Sequence, residues 1–177
     1  MCYMTKFTKV KTGDLIKVPL RQDAWTYARI LIEGSYAFYD CLSTTDRADF
    51  EQIIKSDILF IAHVDIFAIK DGHWTIVTNI PLEERLAKLH PRYFNPAPMN
   101  QENVNFYEVY KNQIEDAIGK DWIKTGRMQL DGLYGQLHIQ ARINDYYRGK
   151  RNEENKANIW FFKKYLGLTT DELIDFK

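Results

Sequence analysis

From residue 9 to residue 80, apolar positions fall in short blocks separated by turn residues, the pattern of strands. Asp14-Leu-Ile-Lys-Val-Pro-Leu20 follows Gly13 and contains Pro19, which cannot donate to a ladder and marks an edge or a bend. Trp25 to Ile32 alternates, with Trp25, Tyr27, Arg29 and Leu31 on one face and Thr26, Ala28, Ile30 and Ile32 on the other. Glu33-Gly-Ser35 is a turn into Tyr36-Ala-Phe-Tyr-Asp-Cys-Leu42. A long apolar run over residues 57–69, an Asp71-Gly72 turn and Trp74 to Ile80 together predict a hairpin. A helical turn is expected over Asp49 to Ile54, and another over Pro81 to Leu86 with the proline at its first position.

Beyond the proline-rich stretch His90-Pro91 and Asn95-Pro-Ala-Pro98 the period changes. Val104, Tyr107, Tyr110, Ile114 and Ile118 recur every three or four residues between a candidate N-cap, Asn100, and Gly119. Residues 136–148 fit both periods, since Leu137, Ile139, Ala141 and Ile143 alternate while Ile139, Ile143 and Tyr147 share a helix face; we read them as a helix ended by Gly149. Another helix is expected over Ala157 to Tyr165, with a capping box at Thr169-Thr-Asp-Glu172. Strands first and helices second is the α+β order. The expected form is a small curved β-sheet or barrel in a β-rich region, residues 1–90. A mostly helical extension, residues 91–177, packs with it as one domain.

Composition narrows the function classes. The 24 Lys and Arg are balanced by 24 Asp and Glu, which lacks the basic excess of a dedicated nucleic-acid binder. Phe, Trp and Tyr make up 14% of the 177 residues, enough for a substantial core. The apolar run at 57–69 is too short for a membrane span, the first eleven residues lack a secretory signal, and two cysteines fit a reduced, cytoplasmic setting.

Candidate chemistry is sparse. His63 and Asp65 would share a strand face, with His73 across the presumed hairpin, but a zinc site wants three or four closely spaced ligands. No Gly-x-Ser-x-Gly, phosphate loop or Gly-x-Gly-x-x-Gly occurs, and adjacent carboxylates such as Glu83-Glu84 do not share a helix face. The reading is therefore non-catalytic, without cofactor or metal. Charge is uneven locally: Glu33, Asp40, Asp46, Asp49, Glu51, Asp57 and Asp65 face only Arg47 and Lys55 in their stretch. Residues 142–164 are basic, with Arg142, Arg148, Lys150, Arg151, Lys156, Lys163 and Lys164 beside Tyr146-Tyr147. Such fields steer partners of opposite charge.

The succession Lys11-Thr-Gly-Asp14, Val18-Pro-Leu20, Tyr27-Ala-Arg29, Tyr39-Asp40, Asp57-Ile-Leu-Phe60, Gly72-His-Trp74 and Ile80-Pro-Leu82 resembles the immunity protein 26 family of bacterial polymorphic toxin systems, over roughly residues 9–90. The resemblance implies a mostly-β domain acting as a cytoplasmic antidote that binds and occludes a cognate toxin domain. If the toxin is a nuclease, its substrate cleft is basic. From charge and aromatic content, the expected partner-binding residues are Glu33, Asp46, Asp49 and Glu51, with Trp25, Tyr36 and Tyr39 as anchors. Two rivals remain: a non-catalytic RNA- or peptide-binding module using the basic run, and a small hydrolase using His63, Asp65 and His73.

Overall fold

The computed structural model describes residues 9–32, 34–45, 49–88, 93–94, 129–130, 133–153, 156, 159–160, 163–164 and 169–170. Glu33, Asp46 and the expected helix over 100–118 lie outside the described residues, as do parts of the segments over 157–165 and 169–172.

Strands β1 (Asp14–Pro19), β2 (Trp25–Ile30), β3 (Ser35–Tyr39) and β4 (Ile58–Val64) form an antiparallel meander. β5 (Thr75–Asn79) adds antiparallel to β1. A short pair, β6 (Tyr93–Phe94) with β7 (Gln129–Leu130), stands apart, and β8 (Leu133–Tyr134) runs parallel to β4. The sheet order is β5-β1-β2-β3-β4-β8. It is open, with β5 and β8 at its edges, so of the two expected forms the sheet is the one that occurs, within an α+β fold.

Both faces of the sheet are buried. Ile16, Val18, Ala28, Ile30, Phe38 and Ala62 point to one side, Leu15, Tyr27, Leu31, Ala37 and Ile61 to the other, as the period of two requires. The first face is covered by α2 (Phe67–Lys70), by Trp74, and by α4 (Gln136–Tyr147) through Ile139 and Ile143. The second is covered by α1 (Phe50–Ile53) and α3 (Glu84–Ala87), through Ile53 and Leu86. Arg85 ties these two short helices together by donating to the carbonyls of Ile54 and Ser56 at 2.7 and 2.6 Å.

The hairpin expected between residues 57 and 80 does not form. β4 stops at Val64, and the Asp65 carboxylate accepts from the Phe67 N–H at 3.0 Å to open α2. Gly72 is the left-handed residue that ends that helix, at φ +76°, with its N–H bonded to the Ile69 carbonyl. Residues 65–74 then cross one face of the sheet and lead into β5 beside β1. His73 therefore does not lie across a ladder from His63 and Asp65. Among the described residues, no group of three His, Cys, Asp or Glu is placed to hold a metal ion.

One further sequence reading changes. Pro81 precedes α3 instead of opening it, and its carbonyl accepts from Arg29 at 2.7 Å. Gly13 is fixed by space as well as by its φ of +86°: a Cβ there would lie 2.6 Å from the Ile80 carbonyl oxygen. The adjoining Asp14 is buried, accepting from the Lys11 N–H and from Asn79 Nδ2, both at 2.7 Å. Residues 136–147 are helical and Gly149 takes the left-handed conformation just beyond them. No described helix is long and apolar enough to cross a membrane.

Candidate functional site

Trp25 opens β2 half-buried, its Nε1 donating to the Tyr27 hydroxyl at 3.1 Å while the Lys17 ammonium sits 3.6 Å from its ring centre. Its backbone exchanges two hydrogen bonds of 2.9 Å with Ser43, which folds the segment after β3 back toward β2. That segment and α1 enclose a cleft of about 370 Å³ lined by Tyr27, Cys41, Ser43, Asp49, Gln52 and Ser56, among others. Asp49 caps α1, its Oδ1 accepting from the Gln52 N–H at 3.1 Å. Asp49, Glu51 and Asp57 are exposed along this stretch, and Leu42 at the cleft is 51% exposed.

The remaining sequence candidates lie elsewhere. Tyr36 and Tyr39 are only 3% and 0% exposed and face opposite sides of the sheet, so neither ring reaches the surface. Of the seven acidic positions, Glu33 and Asp46 are outside the described residues, and Asp65 accepts from the Phe67 N–H ahead of α2. Asp40 accepts from the hydroxyls of Tyr146 at 2.7 Å and Tyr147 at 3.2 Å, which clasps α4 to the end of β3. Asp49 and Leu42 line the cleft, Trp25 adjoins it through its bridge to Ser43, and Glu51 is exposed on α1. In the basic run, Arg142 is buried with its guanidinium 3.9 Å from the Phe60 ring centre, whereas Arg148, Lys150, Arg151 and Lys156 are exposed.

Sequence reasoning missed one buried constellation. Arg29, 0% exposed, donates through Nη2 to the carbonyls of Ile80 and Pro81 at 2.9 and 2.7 Å, and lies 3.4 Å from Glu83 Oε2. Glu83 Oε1 in turn accepts from the Tyr39 hydroxyl. Burial, the bond to Glu83 and the charge of that carboxylate push the Tyr39 phenol well above its ordinary range. The one available signal was a charged residue on a strand face otherwise made of Trp25, Tyr27 and Leu31.

Two other tyrosines are shifted in the same direction. Burial, then the charges of Asp65 and Asp14, push Tyr36 up to about 12; burial, then its bond to Asp40, push Tyr146 up to about 12. The folded chain therefore keeps protons that the unfolded chain loses near pH 10.0, the ordinary tyrosine value. Their stabilisation is complete below that pH and is lost as the pH rises toward about 12. Thermal melts over this alkaline range should show a falling Tm, with a shallower fall in a Tyr36→Phe/Tyr146→Phe variant. An identical slope in the variant would place the titrating groups elsewhere.

The residues that carry the family resemblance now have structural duties. Gly13 and Asp14 make the turn into β1, Arg29 and Tyr39 hold residues 80–83, Asp40 clasps α4, and Gly72 and Trp74 guide the crossover. The chain matches the family model described as Immunity protein 26 over residues 11–104, whereas no curated protein and no solved structure matches it. That match spans more than half of the 177 residues and contains β1 to β5 with the cleft between them, so the chain belongs to the immunity protein 26 family.

Proposed function

We propose that this chain is a cytoplasmic, non-catalytic immunity protein of a bacterial polymorphic toxin system. It binds a cognate toxin domain and neutralises it by covering the toxin's active site. Membership of the immunity protein 26 family is the observation that carries this reading. The surface we assign to the partner is the one around the cleft, with Asp49 and Leu42 in its lining, Trp25 paired to its Ser43 and Glu51 exposed on α1. Acidic groups around a partly apolar patch suit a basic substrate cleft, and a nuclease is the toxin class with such a cleft. Asp46, which lies between Thr45 and Asp49 in sequence, is assigned to this surface with them, whereas Ile32 and Gly34 on either side of Glu33 line a separate cleft, so Glu33 is left out of it.

The test is rescue. The toxin domain encoded beside this gene is induced in a laboratory bacterium with and without the chain. Restored growth together with a co-eluting complex is expected; continued killing without a complex would overturn the proposal.

The surface has its own test. Asp46→Lys and Glu51→Lys are combined with Asp49→Asn, which removes charge but keeps an N-cap acceptor. Stopped-flow association with the toxin domain at low salt should slow by about tenfold or more. An unchanged on-rate would move the partner to another face.

A further inference from the structure

The cleft beside α1 is unusual in what it offers a ligand. The Ser43 hydroxyl donates to the Thr45 carbonyl at 3.2 Å, and the Ser56 hydroxyl donates to the Gln52 carbonyl at 3.4 Å. With their protons so used, both hydroxyls present lone pairs. Asp49 accepts the Gln52 N–H through Oδ1, which leaves Oδ2, and a carboxylate only accepts. Burial pushes the Cys41 thiol up from its ordinary value, so it adds no thiolate to this wall. Among the described residues no Lys, Arg or His lines the cleft, and the Tyr27 ring and Ile53 contribute aromatic and apolar surface. In its described lining the cleft is therefore rich in acceptors, with Asp49 as the one formal charge, and it offers apolar surface for a side-chain stem. Its volume of about 370 Å³ lies in the range of ligand pockets, about 300–1,000 Å³.

We propose that this cleft receives an arginine side chain presented by the partner, with the guanidinium on Asp49, Ser43 and Ser56 and the methylene stem along Leu42. Arginine fits the inventory because it brings five donors and no acceptor, and because its stem is apolar. A phosphate or carboxylate suits the lining less well, since the Asp49 charge repels it and only the Gln52 amide and the Thr45 hydroxyl bring side-chain donors of the ordinary kind. This assignment rests on the toxin-binding reading for the identity of the partner, while the chemistry of the cleft can be tested without any toxin.

The probe is N-acetyl-arginine amide titrated into the full chain, followed by backbone amide NMR. Saturable shifts at Ser43, Gln52 and Ser56 are expected, with a dissociation constant of about a millimolar, as suits one side chain. Asp49→Asn should weaken binding about tenfold while leaving the melting temperature close to that of the parent, because asparagine still caps α1. The neutral isostere N-acetyl-citrulline amide and inorganic phosphate should leave those amides unmoved. Absence of shifts with the arginine probe, or equal shifts with citrulline or phosphate, would overturn the assignment. A chain that rescues cells from the toxin yet ignores the arginine probe would retain the antidote reading and lose only this one.

Discussion

Replacement of Trp74 by alanine is expected to destabilise the fold by about 3–5 kcal/mol, the cost of emptying a large buried aromatic site. Trp74 is 1% exposed, and its ring stands edge-on to Tyr36 and Phe38 at centroid distances of 6.1 and 5.9 Å. Phe38 stacks in turn on Phe60 at 4.8 Å, so the indole completes a four-ring cluster on one face of the sheet. It also ends the crossover that carries the chain from β4 to β5, with its N–H bonded to the Ala68 carbonyl at 2.7 Å. Its removal frees the seat of β5 as well as leaving a cavity. Trp74→Phe should cost less, because the indole Nε1 is buried without a partner among the described residues and its loss offsets part of the lost area. Urea unfolding would show this as a lowered midpoint at constant m. An alanine variant less than about 1 kcal/mol below the parent would mean that the ring does not anchor the crossover.

The part of this fold legible in the sequence is the part that local periodicity controls. Alternation in Trp25 to Ile32 assigned each side chain of β2 to its face, and the structure keeps that division between its two apolar clusters. For residues 136–147, burial of Ile139, Arg142 and Ile143 against exposure of Leu137 follows the helical period, which the apolar alternation alone did not decide. Asp71-Gly72 shows where local reading fails. A left-handed glycine serves a hairpin turn and a helix C-terminus equally well, and Ile66 to Ile69 is apolar throughout, so neither period stands out. That β5 pairs with β1 is a non-local choice, written in no single segment.

The site was half legible for a related reason. The exposed acids at Asp49 and Glu51 could be found from charge alone. The burial of Tyr36 and Tyr39 could not, because strand alternation does not reveal that helices cover both faces. The burial of two polar positions of the family signature, Asp14 inside a turn and Arg29 inside the core, is likewise not written in the alternation.

Arg29 supports the other large expected effect. Glu83→Gln should destabilise the chain by about 3 kcal/mol, because it leaves a fully buried guanidinium without its counter-charge. Arg29→Met should cost a similar amount through the two donated bonds to Ile80 and Pro81, which hold the start of α3 against the sheet. The two losses are not independent. Methionine at 29 removes the charge that makes Glu83 necessary, so Arg29→Met/Glu83→Gln should be more stable than the sum of the single losses by about 1–3 kcal/mol. Tyr39 reports on the same network, since its hydroxyl donates to Glu83 and its phenol is held high partly by that carboxylate. Glu83→Gln should therefore lower the alkaline titration of Tyr39, while Arg29→Met should raise it, because the Arg29 charge opposes the shift. Additive stabilities would show that the two side chains act separately. Coupling in both stability and tyrosine titration would identify Arg29–Glu83–Tyr39 as the clamp that fixes residues 80–83 on the sheet.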